Sequence, residues 1–265
     1  MIPLRIFAFT RFAQRGIEAF RGKRKNRELI STLTIRALGE SLLILTAVTS
    51  LSAAPTLAAS PSSPPSPVAD GRVATLDPSD LRDFDLQPAP VRQLLTQALQ
   101  MTKLGLSYRY GSDDPVTGGM DCSGTIYHLL QGAGVRDVPR DSGEIYRWVW
   151  TKGRFQAVVS SNPNTFELAR LKPGDLLFWA DTYKVERDPP VSHVMIYLGV
   201  NRATGRPVMM GASEGRRFND ISRYGVSVFD FVLPRPADPA GGAPAPRFIG
   251  YASIPGLTDS TRTGL

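Results

Sequence analysis

The chain of 265 residues holds one cysteine, Cys122, and two histidines, His128 and His193. Chemistry that needs a thiol and an imidazole therefore has few residues to draw on. Cys122 stands in Asp121-Cys122-Ser123-Gly124, just before an apolar stretch of helical character. A thiol at a helix N-terminus feels the positive end of the helix dipole, which lowers its pKa and raises the thiolate fraction. His193 stands in Ser192-His193-Val194-Met195-Ile196-Tyr197, a segment of strand character. A helix-borne thiol facing a strand-borne imidazole is an arrangement for hydrolysis: sulfur attacks a carbonyl and imidazolium protonates the leaving amine. Each residue also has a plainer reading. A lone cysteine behaves as a small buried hydrophobe, and a strand histidine as a core residue with its hydrogen bonds made. The two residues alone do not separate these readings. His128 lies about 240° around a helix from Cys122, so it reads as structural or solvent-facing. A single cysteine allows no internal disulfide and excludes a cysteine-rich metal site.

These residues need elements to hold them. Val91, Leu94, Leu95, Ala98, Leu99, Met101 and Leu104 recur at helical spacing, with Gly105 as a stop. A second helix should begin near Cys122 and end by Gly132 or Gly134, and a third should cover Ser142 to Trp150. Strands follow. Asp175 to Trp179 comes after the turn signal Lys172-Pro173-Gly174. Val191 to Val200 is the strand of His193, Val208 to Met210 leads to Gly211, Val226 to Val232 alternates, and Phe248 to Ala252 closes the set. Helices first and strands after predict an α+β fold with the N-terminal helices packed on an antiparallel β-sheet. Gly118-Gly119 reads as a turn that aims Cys122; no Lys-Ser/Thr follows, so it is not a phosphate loop. The Trp148-Val149-Trp150 pair reads as packing before it reads as a sugar platform.

The net charge of +7 suggests a nucleic-acid binder until its distribution is read. Residues 1–40 hold nine basic groups against three acidic ones, and the remainder is close to neutral. No phosphate-binding face on the folded part is implied. The basic stretch precedes Leu42-Leu43-Ile44-Leu45-Thr46-Ala47-Val48 and then small residues ending Thr56-Leu57-Ala58-Ala59, so residues 1–59 read as a signal peptide with a long basic n-region, cut near Ala58 or Ala59. An uncleaved anchor is the alternative, diluted by Thr46, Thr49, Ser50, Ser52 and Pro55. Residues 60–72 read as a Pro/Ser linker, 73–255 as the globular domain and 256–265 as a flexible tail. The segment Pro234 to Pro246 reads as a loop between the last two strands.

Five segments, in order, resemble the NlpC-type cell-wall cysteine peptidase family, which is papain-like and related to the CHAP amidases. They are Leu106-Ser107-Tyr108-Arg109-Tyr110-Gly111; Met120-Asp121-Cys122-Ser123-Gly124; Val138-Pro139-Arg140-Asp141-Ser142; Leu171-Lys172-Pro173-Gly174-Asp175-Leu176-Leu177-Phe178-Trp179; and Ser192-His193-Val194-Met195-Ile196-Tyr197-Leu198-Gly199. The resemblance implies Cys122 as nucleophile and His193 as general base and acid. It places Tyr108 near the thiolate, where it would hold the developing oxyanion with the Cys122 N–H. Asp121 and Ser123 become candidates for gripping a peptide amine, with helix capping as the bland alternative for Asp121. Arg140 either faces a substrate carboxylate or pairs with Asp137 or Asp141.

The chain departs from the family at one point. The residue that orients the histidine is usually a His, sometimes Asn or Gln, and here the matching position is Gly211 in Met209-Met210-Gly211-Ala212-Ser213. Glycine has no side chain to hold an imidazole tautomer. The orienter is then a backbone carbonyl or a water beside Gly211, or Ser213 on the same strand face, or Glu214; or the enzyme is impaired. The resemblance implies an exported enzyme, periplasmic or wall-associated, that hydrolyses an amide in peptidoglycan stem peptides. The D-glutamyl–diaminopimelate bond comes first, with an N-acetylmuramoyl-L-alanine amidase and a silent wall-peptide-binding module as alternatives. No cofactor, metal or nucleic acid is implied, and membrane contact only through the signal or an uncleaved anchor.

Overall fold

The computed structural model describes residues 72–234 and 245–258. The chain divides into two units, Met1–Pro61 and Ser62–Leu265, and every described residue belongs to the second. The expected signal peptide 1–59, nearly all of the linker 60–72, most of the 234–246 loop and the end of the tail lie outside the described residues.

Three helices come first. Helix α1 (Ala89–Thr102) carries a proline in its first turn, where an N–H is unsatisfied anyway. It buries Val91, Leu94, Leu95, Ala98 and Leu99, the face its periodicity predicts. Helices α2 (Cys122–Gly132) and α3 (Ser142–Thr151) start at the aspartate caps Asp121 and Asp141. Two very short strands, β1 (Ser107–Tyr108) and β2 (Gly119–Met120), pair in parallel between α1 and α2. Two or three residues carry no alternation, so the sequence gives no sign of these strands, nor of β3 (Phe155–Ala157).

The remaining strands are β4 (Leu176–Ala180), β5 (Val191–Val200), β6 (Pro207–Phe218), β7 (Ile221–Asp230) and β8 (Arg247–Ala252). With β3 they form a six-stranded sheet in the order β3-β8-β4-β5-β6-β7, every pair antiparallel. The fold is the expected α+β class. Central strands β4 and β5 are buried on both faces, which is why they read as continuous apolar runs rather than alternating ones. On the helix face, Phe178, Val194, Ile196 and Met210 pack in one core with α1 and α2. On the opposite face, Leu177, Trp179, Met195, Tyr197, Met209 and Phe229 form a second core. Strand β6 runs on through Gly211 to Phe218, beyond the expected end at Met210. Its continuation, Glu214-Gly215-Arg216-Arg217, is polar but stays in register with β7 apart from a bulge between Glu214 and Arg216.

Candidate active site

Cys122 is the first residue of α2, and its orientation is fixed by the cap before it. Asp121 Oδ1 accepts from the N–H of Gly124 at 2.6 Å, from Ser123 Oγ at 3.2 Å and from Arg140 Nη1 at 3.1 Å. Its Oδ2 accepts from the N–H of Gly111 at 2.8 Å and from Arg140 Nη2 at 3.0 Å. These five donors saturate the roughly four acceptor sites of a carboxylate. Arg140 also donates to Ser123 Oγ at 3.0 Å and, through Nε, to Asp113 at 3.1 Å. Its partners are thus Asp121 and Asp113, not the neighbours Asp137 and Asp141. Asp141 instead caps α3 and pairs with Arg187. Gly124 allows this packing, because a Cβ there would collide with the Ser112 carbonyl and lie 2.8 Å from Arg140 Nη2. The glycine after the cysteine is therefore explained by a close approach of the 111–113 loop.

The sulfur packs against the backbone that carries the histidine. Cys122 Sγ lies 4.0 Å from the carbonyl oxygen of Ser192, and the N–H of Val194 points to it from the other side of His193. Burial pushes the thiol up to about 11, against the backbone N–H groups of Val194, Ser123 and Cys122, which pull it down. His193 is 7% exposed, and burial, followed by the charge of Arg216, holds its imidazole well below the ordinary value. Burial thus disfavours the charged form of both groups. The helix dipole alone points to a lowered thiol pKa; desolvation outweighs it here.

His193 projects onto the face of Trp179, whose ring meets it edge-on with centroids 5.7 Å apart. Its Nε2 is buried without a hydrogen-bond partner among the described residues, as is Trp179 Nε1. Gly211 occupies the position expected for an orienting side chain, and Met195 fills the space beside it. Ser213 and Glu214 line the same cavity as His193, and neither bonds to the imidazole among the described residues. His128 is exposed, as expected. Of the tryptophan pair, Trp148 packs on the helix-side core and Trp150 is exposed.

Two cavities flank the pair. One, of about 220 Å³, is lined by Tyr108, Tyr110, Asp121, Cys122, Arg140 and Tyr183, among others. The other, of about 650 Å³, is lined by Tyr108, Trp179, Tyr183, His193, Ser213 and Arg216, among others. Tyr108 and Tyr183 line both. Burial, then the neighbouring Cys122 and Asp121, holds the Tyr108 hydroxyl well above the ordinary range, so it stays a neutral donor. Tyr183 meets Tyr110 edge-on at 6.5 Å. Its loop between β4 and β5 is held by Arg187 on Asp141 and by Ser192 Oγ, which accepts from the Thr182 N–H at 2.8 Å. Tyr183, Trp179 and Arg216 were not foreseen as site residues. Trp179 sits in a quoted segment, whereas the places of Tyr183 and Arg216 depend on a loop path and a bulge.

The sulfur thus lies against the backbone on either side of His193, with Cys122 lining the smaller cavity and His193 the larger. The model of the NlpC/P60 family matches residues 105–223, and over that segment the chain is similar to the NlpC/P60 family. Among solved structures, the chain is similar to a lipoprotein-like protein of the NLP/P60 family from Staphylococcus aureus subsp. aureus Mu50. That match has 22% identity and a TM-score of 0.36, and covers 61% of this chain and 39% of that one. The chain thus spans about two fifths of that protein. The comparison with curated proteins returned no match. No described helix is long and apolar enough to cross a membrane.

Proposed function

We propose that the protein is a cysteine peptidase that hydrolyses an amide bond in peptidoglycan stem peptides. The observation that carries this reading is Cys122 Sγ at the start of α2, packed against the Ser192–Val194 backbone that bears His193. The match to the NlpC/P60 family model over residues 105–223 supports it, because that family is generally one of cysteine peptidases acting on peptidoglycan. Cys122 passes its proton to His193, and Sγ attacks the carbonyl carbon. The backbone N–H of Cys122 and the Tyr108 hydroxyl hold the oxyanion. His193 then gives the proton to the departing amine, leaving a thioester on Cys122. Water, deprotonated by His193, hydrolyses the thioester to a carboxylic acid and restores the thiol. Asp121 and Arg140 hold the helix N-terminus and shape the smaller cavity, where Ser123 and the remaining Arg140 donor meet the acyl half. The bond between D-glutamate and diaminopimelate is the first choice, and the muramoyl-alanine amide the alternative.

The export reading belongs to the same proposal. Residues 1–59 act as a signal or an anchor, 60–72 as a linker, and 73–255 as the catalytic domain outside the cytoplasm. A second reading, a silent module that binds stem peptides, draws on Gly211, which supplies no side chain to orient the imidazole. Purified muropeptides incubated with the chain and with Cys122→Ala distinguish the two. Fragments formed only when Cys122 is present support hydrolysis and identify the bond. Bound but intact muropeptides from both folded proteins favour the silent module.

A further inference from the structure

The arginines of the described domain are unequally partnered. Arg140 pairs with Asp113 and Asp121, Arg187 with Asp141, Arg206 with Asp220 and Asp230, and Arg247 with Asp181. Arg216 has no carboxylate or hydrogen-bond partner among the described residues. Its guanidinium instead lies over the ring of Trp179, 4.4 Å from the centroid. It is partly buried, and desolvation lowers its pKa to about 10 against the opposing influence of Cys122. A guanidinium taken from water without an acceptor is costly. A planar fork with its donors unused is built to take a carboxylate in two parallel bonds.

Its placement follows from the bulge in β6. The ladder with β7 shifts by one residue between Glu214 and Arg216, at Gly215, whose φ of +97° suits glycine. The shift brings Arg216 to the face of Trp179 and His193, in the wall of the 650 Å³ cavity. Glu214 also lines that cavity but forms no ion pair with it among the described residues. His193, the group that would protonate the leaving amine, lies in the same wall, so this cavity holds the amine half of the substrate.

We propose that Arg216 is an anion subsite that binds a free carboxylate on the residue released as the amine. The proposal rests on the peptidase reading above. It assigns the substrate class: stem peptides whose amine-side residue carries an unblocked carboxylate, as diaminopimelate does, in preference to those where it is amidated.

The test compares two stem peptides that differ only in that group, diaminopimelate as the free acid and as the carboxamide. With the full chain, kcat/KM should favour the acid by about ten- to a hundredfold, the range for a charge-assisted pair of hydrogen bonds. Arg216→Gln should bring the ratio close to one, and Arg216→Lys should leave an intermediate ratio. A ratio unchanged in Arg216→Gln, or no preference in the unaltered chain, overturns the proposal. If Arg216→Gln does not fold, Arg216→Lys and the acid-to-amide ratio of the unaltered chain decide. If neither peptide is cleaved, the peptidase reading fails, and the subsite is judged separately by calorimetry on Cys122→Ala. Tighter binding of the acid that Arg216→Gln abolishes supports the subsite; equal affinities overturn it.

Discussion

Met195 and Gly211 face each other across β5 and β6, and the side chain of one fills the space the other leaves. A Cβ added to Gly211 would lie 2.8 Å from Met195 Cγ and 3.4 Å from its Cβ. Cγ is not the free end of that side chain, so it has little room to yield. The glycine is therefore a packing partner of the methionine, and the space beside it is not a gap for water.

Gly211→His should accordingly destabilise the protein by about 1–3 kcal/mol through overpacking, with no gain in activity. Adding Met195→Ala should recover part of the loss. Urea unfolding of the two single variants and the double variant gives the coupling energy as a cycle. A stable Gly211→His that turns over faster would show that the site lacks an orienting side chain it could accommodate.

The acid limb of the pH–rate profile should lie below the ordinary histidine value of about 6.5. Turnover needs a neutral His193 to accept the thiol proton, and burial, followed by Arg216, keeps the imidazole neutral to lower pH. Removing the positive charge with Arg216→Gln should move the limb upward. The same depression contributes stability that is complete above about 6.5 and is lost as pH falls toward the folded-state value. Iodoacetamide labelling of Cys122 in the free protein should rise steeply only toward pH 11, where the buried thiol ionises. A flat labelling rate from pH 5 to 8 would indicate a preformed thiolate–imidazolium pair.

Asp121→Ala should cost about 3 kcal/mol or more, since it removes a helix cap and leaves Arg140 without its principal partner. Asp121→Asn should cost less, because an amide oxygen can still accept from the Gly124 N–H. Thermal unfolding of both variants measures the difference. Equal losses would mean that the charged pair with Arg140, not the cap, is what matters.

Asp175 gives a pH dependence of opposite sign. Burial pushes its carboxyl up to about 6, with the Lys172 N–H at 2.8 Å opposing. Its charged form is therefore disfavoured in the folded state, and stability falls as pH rises from about 4 to about 6. Asp175→Asn should stabilise the protein at pH 8 by about 2 kcal/mol and change little at pH 4, as denaturant midpoints at the two pH values will show.

Much of this site is legible in the sequence because its parts are local. The cap before Cys122, the apolar face of α1 and the buried runs of β4 and β5 each depend on neighbours a few residues away. What escapes is long-range or geometric. Arg140 finds Asp121 and Asp113, far from it in the chain, because the 111–113 loop closes on Gly124. Arg216 reaches the His193 face only because a bulge shifts the ladder by one residue. The thiol pKa follows burial, which depends on the whole fold, and not the helix dipole, which the motif alone suggests.

The central claim is that Cys122 Sγ forms the bond to the substrate carbonyl. It is tested most directly by acid-quenching the chain during turnover of purified muropeptides and measuring the intact protein and its Cys122 peptide by mass spectrometry. The expected result is an adduct with the mass of the acyl half of the stem peptide less water, on Cys122, absent from Cys122→Ala and removed by hydroxylamine. Muropeptide fragments that accumulate equally with Cys122→Ala, with no adduct on the unaltered chain, would contradict the account.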